Sequence, residues 1–190
     1  GKDTSQKSDA IYALTAPEAV NGFEAQDVTS STITLSWDKA EGAVQYNLYI
    51  CENGEYTLYD EYTGLSCSFT SLSQFTEYKF RIAAVAKGEK NSVIGSMSEE
   101  IAVVTLPEKV RDLIPVSIKD KSVTLSWTAN EKADTYTVYA YDSSTGKYKE
   151  VGSTAETQFV VTSLKMTTEY KFCVSCSGTI NSNVYTSEMS

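Results

Sequence analysis

The chain has 190 residues, is 41% hydrophobic and 22% charged, and sets 16 Lys and Arg against 25 Asp and Glu for a formal net charge of -9. That balance argues against nucleic acid, where affinity rests on cations neutralising phosphates, and against anionic membrane surfaces. No apolar run reaches the roughly 18 residues of a membrane span, and the absence of histidine removes most general-base, triad and metal-ligand chemistry.

The first sixteen residues open polar, from Gly1 to Ser8, and read as a tether or the start left after a removed leader. From Pro17 onward the chain is written twice. Pro17-Glu18-Ala19-Val20 matches Pro107-Glu108-Lys109-Val110, and Thr32-Ile33-Thr34-Leu35-Ser36-Trp37 matches Ser122-Val123-Thr124-Leu125-Ser126-Trp127, both 90 residues apart. A period this long, with strand patterning in each copy, means tandem domains. Ile33, Leu35 and Trp37 alternate with polar neighbours, so a strand ends at Trp37. Tyr46, Leu48 and Ile50 form the next, and Asn53-Gly54 turns it into a hairpin. Thr76-Glu77-Tyr78-Lys79-Phe80 recurs as Thr168-Glu169-Tyr170-Lys171-Phe172, now at an offset of 92. The two inserted residues fall in the hairpin turn, at Asp142–Gly146 of copy two, where added length is cheap. Copy two keeps the alternation at Val123, Leu125 and Trp127, at Tyr136 and Val138, and at Tyr170, Phe172 and Val174. Half-buried strands with one polar face predict antiparallel sandwiches.

This constellation resembles the fibronectin type III domain, and the resemblance covers both copies. Its carriers are Pro17, Trp37, Tyr46 with Leu48, and Leu72 with Thr76 and Tyr78; in copy two they are Pro107, Trp127, Tyr136 with Val138, and Leu164 with Thr168 and Tyr170. The resemblance implies an all-β chain of two tandem immunoglobulin-like antiparallel β-sandwiches. Residues 1–16 form a leader, 17–106 domain 1 and 107–190 domain 2. Trp37 and Trp127 are core residues, and Tyr78 and Tyr170 resemble tyrosine-corner residues. The family's usual Pro-Gly before the corner Thr is replaced by Gln74-Phe75 and Met166-Thr167, a change expected at the E–F corner only. The Ser/Thr-rich strands and many tyrosines resemble bacterial secreted members of the family.

The leader segment 8–16 aligns with 98–106, expected to be the last strand, G, of domain 1. It therefore reads as a spare G-like strand, whereas domain 2 is expected to lack its own strand G. Three readings follow: a piece of a longer array, strand exchange of residues 8–16 with domain 2 of a neighbouring chain, or pairing of the leader with domain 1. Some strand structure is expected over 10–15.

The four cysteines, Cys51, Cys67, Cys173 and Cys176, are expected to be free thiols. Register puts Cys51 outward and Cys67 inward, and Cys173 and Cys176 on opposite faces of one strand. In an exported protein this suits an anaerobic setting.

No Gly-rich phosphate loop, nucleophile elbow or calcium loop occurs, so neither a catalytic residue nor a cofactor is expected. Thirteen tyrosines are many for this length. Tyr49, Tyr56, Tyr59, Tyr139, Tyr141 and Tyr148 could form aromatic faces suited to a glycan or protein partner, or could simply be cross-strand pairs that stabilise the sheets. Tyr62 is placed with them. The loop before strand G, at 86–92 and 177–183, is a second candidate surface. Leu106-Pro107 joins the copies without a Gly/Ser linker, which predicts a semi-rigid rod. The expected role is a non-catalytic structural spacer and protein-interaction module of an extracellular or cell-surface protein. The alternatives are a carbohydrate-binding module or an accessory piece of a polysaccharide-acting enzyme.

Overall fold

The computed structural model describes residues 11–190, and every regular element among them is a β-strand. Domain 1 contains β1 (Glu24–Val28), β2 (Ile33–Ser36), β3 (Gln45–Glu52), β4 (Glu55–Tyr62), β5 (Ser66–Phe69), β6 (Glu77–Lys87), β7 (Ser92–Met97) and β8 (Ile101–Val104). Its sheets run β1-β2-β5 and β4-β3-β6-β7, with β8 also paired to β6. Domain 2 contains β9 (Arg111–Lys119), β10 (Ser122–Thr128), β11 (Thr135–Asp142), β12 (Lys147–Thr154), β13 (Gln158–Val161), β14 (Phe172–Ile180) and β15 (Asn183–Thr186). Its sheets run β9-β10-β13 and β12-β11-β14-β15.

The alternating residues do face inward. Ile33, Leu35, Leu48, Phe80 and Ile82 are fully buried in domain 1, as is Val138 with Val174 in domain 2. Each core is built around its tryptophan. Trp37 packs against Tyr46 at 5.6 Å and Trp127 against Tyr136 at 5.4 Å between ring centroids. Both tyrosines finish the motif in the same way, their hydroxyls accepting the backbone N–H of Ala40 (3.0 Å) and of Asn130 (2.8 Å). A buried ring whose polar tip finds a backbone donor contributes apolar area without an orphaned hydroxyl. The hydroxyl of Tyr170 accepts the N–H of Lys165 at 2.8 Å and so ties down the E–F corner of domain 2.

Three expectations are corrected. Tyr62 does not belong to an outer face: it opposes Tyr46 in register and meets Trp37 edge-on at 6.1 Å, so it is half-buried against the inner face. Domain 2 has the opening part of strand G, because β15 pairs with β14 as β7 pairs with β6, and Ser187 and Ser190 extend the ladder by donating to Cys176 and Val174. Strand G begins earlier than the alignment of 8–16 with 98–106 implied, at Ser92 in domain 1 and Asn183 in domain 2. Finally, residues 11–15 form no strand. The side chain of Leu14 instead sits beside Gly88, and the ring of Tyr12 lies 4.1 Å from the Lys90 ammonium. Residues 8–10 of that expected strand lie outside the described residues.

The E–F corners explain their own sequence departure. Phe75 (φ 48°) and Thr167 (φ 51°) stand where the family carries glycine, and both adopt the left-handed backbone that glycine tolerates best. For a β-branched residue this is a strained conformation. Thr167→Gly relieves that strain, partly offset by the greater freedom of glycine in the unfolded chain. Domain 2 should gain about 1 kcal/mol, read as a higher urea midpoint with unchanged slope; a lower midpoint would show that the corner is not strained.

Candidate ligand face

In domain 1 the pairing of β3 with β4 places Tyr49 opposite Leu58 and Cys51 opposite Tyr56. Directly opposed residues share a face, so Tyr49 and Tyr56 are brought together. Tyr59 is the extra residue of a bulge, between Leu58 opposite Tyr49 and Asp60 opposite Leu48, and the alternation breaks there. The face is already occupied by its own chemistry. Arg81 stacks over the Tyr56 ring, its guanidinium 4.9 Å from the centroid. The Tyr56 hydroxyl donates a short hydrogen bond to Glu100, which also pairs with Lys79 at 3.1 Å. Desolvation, followed by the bond to Glu100, pushes the Tyr56 hydroxyl pKa up. The bonds from Tyr56 and then Lys79 hold the Glu100 carboxyl below the usual range.

In domain 2 the equivalent face gathers all three expected residues. Tyr139 opposes Glu150 and Tyr141 opposes Tyr148. Tyr141 and Tyr148 make an edge-to-face pair at 5.4 Å, with the Lys171 ammonium 5.7 Å from the Tyr141 ring. Both rings are well exposed, at 38% and 40%, whereas Tyr139 is half-buried and meets the Ser175 hydroxyl at 3.4 Å. At the hairpin tip Asp142 accepts from Ser144 and pairs with Lys149 at 2.5 Å, and the Lys149 bond leads the contacts that hold its carboxyl far below the usual range. The Tyr141–Tyr148 pair thus offers ring faces flanked by a cation. The corresponding face of domain 1 has tyrosine at only one of those two positions, since Cys51 stands where Tyr141 does.

The three buried thiols give no reactive centre. All four are free, with Cys67, Cys173 and Cys176 buried. Burial raises each of those three pKa values, that of Cys67 to about 11, so little nucleophilic thiolate forms at neutral pH. The strand parity holds: Cys176 joins the core with Val174, and Cys173 lies on the other face beside Met189. Among the described residues no cluster of three or more metal-ligating side chains occurs, and no helix is long and apolar enough to cross a membrane.

The geometry therefore defines a class: tandem all-β immunoglobulin-like sandwiches, each with a three-stranded sheet and a larger second sheet. The sequence profile of the fibronectin type III domain matches residues 16–95 and 108–189, and the chain belongs to that family. A two-domain fibronectin type III segment of chicken tenascin shares the fold, with a TM-score of 0.52 and 18% identity over 91% of this chain and 97% of that one. The receptor-type tyrosine-protein phosphatase eta of Gallus gallus is 26% identical over 141 residues, which is 73% of this chain and 10% of the phosphatase. The chain thus spans a tenth of that relative's length.

Proposed function

We propose that this chain is a non-catalytic spacer and protein-interaction module of an extracellular or cell-surface protein. The observation that carries this reading is how tightly the end of domain 1 is held. Leu106 donates to Thr29 and accepts from Phe75 through its backbone, and Pro107, with its fixed φ, follows at once. No Gly/Ser segment intervenes, so the link is the kind that sets spacing. Fibronectin type III domains serve typically as structural and interaction modules, and similar proteins include a tenascin segment and a receptor-type phosphatase. Membership of a bacterial secreted protein rests on the Ser/Thr-rich, tyrosine-rich strands alone.

A second reading, a carbohydrate-binding or accessory module of a polysaccharide-acting enzyme, is favoured by one observation: the exposed Tyr141–Tyr148 pair beside Lys171. Exposed rings with polar tips suit the apolar faces and hydroxyls of sugars. A glycan array followed by titration at millimolar saccharide separates the two. The spacer reading expects no binding. Saturable binding that is lost in Tyr141→Ala or Tyr148→Ala, with the fold intact by circular dichroism, would replace it with the carbohydrate reading.

A further inference from the structure

The larger sheets of the two domains carry different side chains on the same outer face. In domain 1 Tyr49 lies between Leu58 and Arg81; its counterpart Tyr139 lies between Glu150 and Cys173. Four residues back along β3, Gln45, Val85 and Ile94 form a row where domain 2 has Thr135, Ser177 and Thr186. Both sets fold the same sheet, so folding does not ask for aliphatic residues on this face. Domain 1 nevertheless leaves Leu58 49%, Ile94 51% and Met97 43% exposed there.

The floor of the face is a directed chain of hydrogen bonds. The Lys87 ammonium donates to Gln45 Oε1 at 2.5 Å, and Gln45 Nε2 donates to Asn47 Oδ1 at 3.2 Å. An ammonium cannot accept, so it fixes which end of the Gln45 amide faces it, and Gln45 in turn fixes the Asn47 amide. The chain ends on Asn47 Nδ2, a donor with no acceptor among the described residues. Glu61 opposes Asn47 but gives its amide no bond. Gln45 is only 6% exposed and Asn47 5%, where an unmade bond is costly. Yet Nδ2 is not sealed off. Among the described residues the shut-in side-chain nitrogens without a partner are the two indole Nε1 atoms and Nε of Arg81.

Arg81 is the second unsatisfied donor. It lies diagonally from Asn47 across the β3–β6 ladder, a spacing of about 7–8 Å that long side chains span. Its guanidinium stacks on Tyr56 but has no ion pair among the described residues, because Glu100 pairs with Lys79. On β3, β4 and β6 this face sets Lys79, Arg81 and Lys87 against one carboxylate, Glu61, in a chain of net charge -9. Two donors without acceptors call for a carboxylate, and the exposed aliphatic residues call for apolar company. A sugar fits less well: Arg81 already covers the Tyr56 ring, and Tyr49 is half-buried.

We propose that this face binds a protein partner through an Asp or Glu side chain set among apolar residues. The carboxylate accepts from Asn47 Nδ2 and from the Arg81 guanidinium, in charge-assisted bonds. The partner's apolar residues cover Leu58, Ile94 and Met97, which gives the apolar centre and arginine-tyrosine anchors typical of protein interfaces. Lys87 is a positioning residue that acts through Gln45. The proposal rests on the protein-interaction reading and gives it a surface and a partner chemistry.

A phage library of random peptides of about twelve residues, selected on the full chain, tests this. Enriched peptides, made synthetically, should carry Asp or Glu flanked by apolar residues and shift the amides of Asn47, Leu58, Arg81 and Met97. Exchanging that acid for its amide, or Arg81→Gln in the chain, should weaken binding about tenfold or more. Ile94→Asp, at an exposed edge position, should also weaken it and serves if Arg81→Gln fails to fold by circular dichroism. Lys87→Met frees Gln45 to turn, so it should narrow the preference for acid over amide; equal weakening of both peptides overturns the relay. Peptides that bind Arg81→Gln and Ile94→Asp as tightly as the parent, or shift other amides, overturn the proposal and leave the interaction reading standing. A selection that enriches nothing overturns it too, and the interaction reading falls with it only if the glycan array finds a saccharide. Dimerisation of the chain that Arg81→Gln abolishes would overturn it in favour of a second copy as the occupant.

Discussion

Trp127→Ala should cost domain 2 about 3–5 kcal/mol, the range for truncating a buried aromatic to alanine. The indole is 5% exposed, packs at a tilt against Tyr136, and shares its core with Val110, Leu125, Val138, Val161 and Val174. The loss is one of apolar contact and of the cavity left behind, not of a hydrogen bond. The Trp127 Nε1–H is buried with no acceptor among the described residues, and so is that of Trp37. An unpaired buried donor is itself unfavourable by about 1–3 kcal/mol. Trp127→Phe should therefore cost much less than Trp127→Ala, because removing the donor offsets part of the lost volume. Small domains hold only about 5–15 kcal/mol in total, so the alanine variant should leave domain 2 largely unfolded by mild urea. Resolved amide signals from Cys173–Cys176 through a urea series measure this, and Trp37 remains as a fluorescence check on domain 1. An alanine variant within 1 kcal/mol of the parent would mean that Trp127 does not organise this core; a phenylalanine variant as damaging as alanine would show that the indole N–H is satisfied after all.

Those core positions were legible because burial and sequence period coincide. Ile33, Leu35 and Trp37 alternate with threonine and serine, and the pattern repeats 90 residues on, so chance alternation is an unlikely source of it. The same parity separated Cys173 from Cys176 correctly. Strand G escaped for the opposite reason. Its first half is an edge strand that buries little: Ile94 is 51% exposed and Val184 68%. It is held by backbone bonds to β6 and β14, which any side chain permits, so no periodic signal announces it. The sequence match between 8–16 and 98–106 drew attention to the second half instead, where Val104 is buried and the pattern is sharper.

The tyrosine faces were half legible for a related reason. Alternation put Tyr49, Tyr139 and Tyr141 on the outer faces, and pairing then added Tyr56 and Tyr148. What could not be read was how the domain 1 face satisfies itself. Glu100 meets Tyr56 from 44 positions away, in the break between β7 and β8, and brings Lys79 with it. Tyr59 lies at a single-residue bulge and is exposed, and Tyr62 fell on the inner face because of the shift of parity that the bulge makes.

Thr105 is a residue that alternation alone ranks as ordinary, and Thr105→Val should destabilise domain 1 by about 1–3 kcal/mol despite keeping its shape. Thr105 is fully buried. Its hydroxyl donates to the Ser73 carbonyl at 2.7 Å and accepts the Thr76 N–H at 3.0 Å, while its own N–H donates to the Thr76 carbonyl. One side chain thus fastens the end of β8 to the E–F corner, where Phe75 already holds a left-handed backbone. Valine fills the same space but cannot accept, so the Thr76 N–H loses its bond where water has poor access. The cost should appear as earlier hydrogen exchange at Thr76 and along Glu77–Phe80, together with a lower urea midpoint. Thr105→Ser, which keeps the hydroxyl and drops a methyl, should retain the protection at Thr76 even if it loses some stability through packing. If valine and serine weaken that amide alike, packing rather than the hydrogen bond holds the strand end. If valine leaves both readouts unchanged, β8 is anchored by its backbone ladder alone.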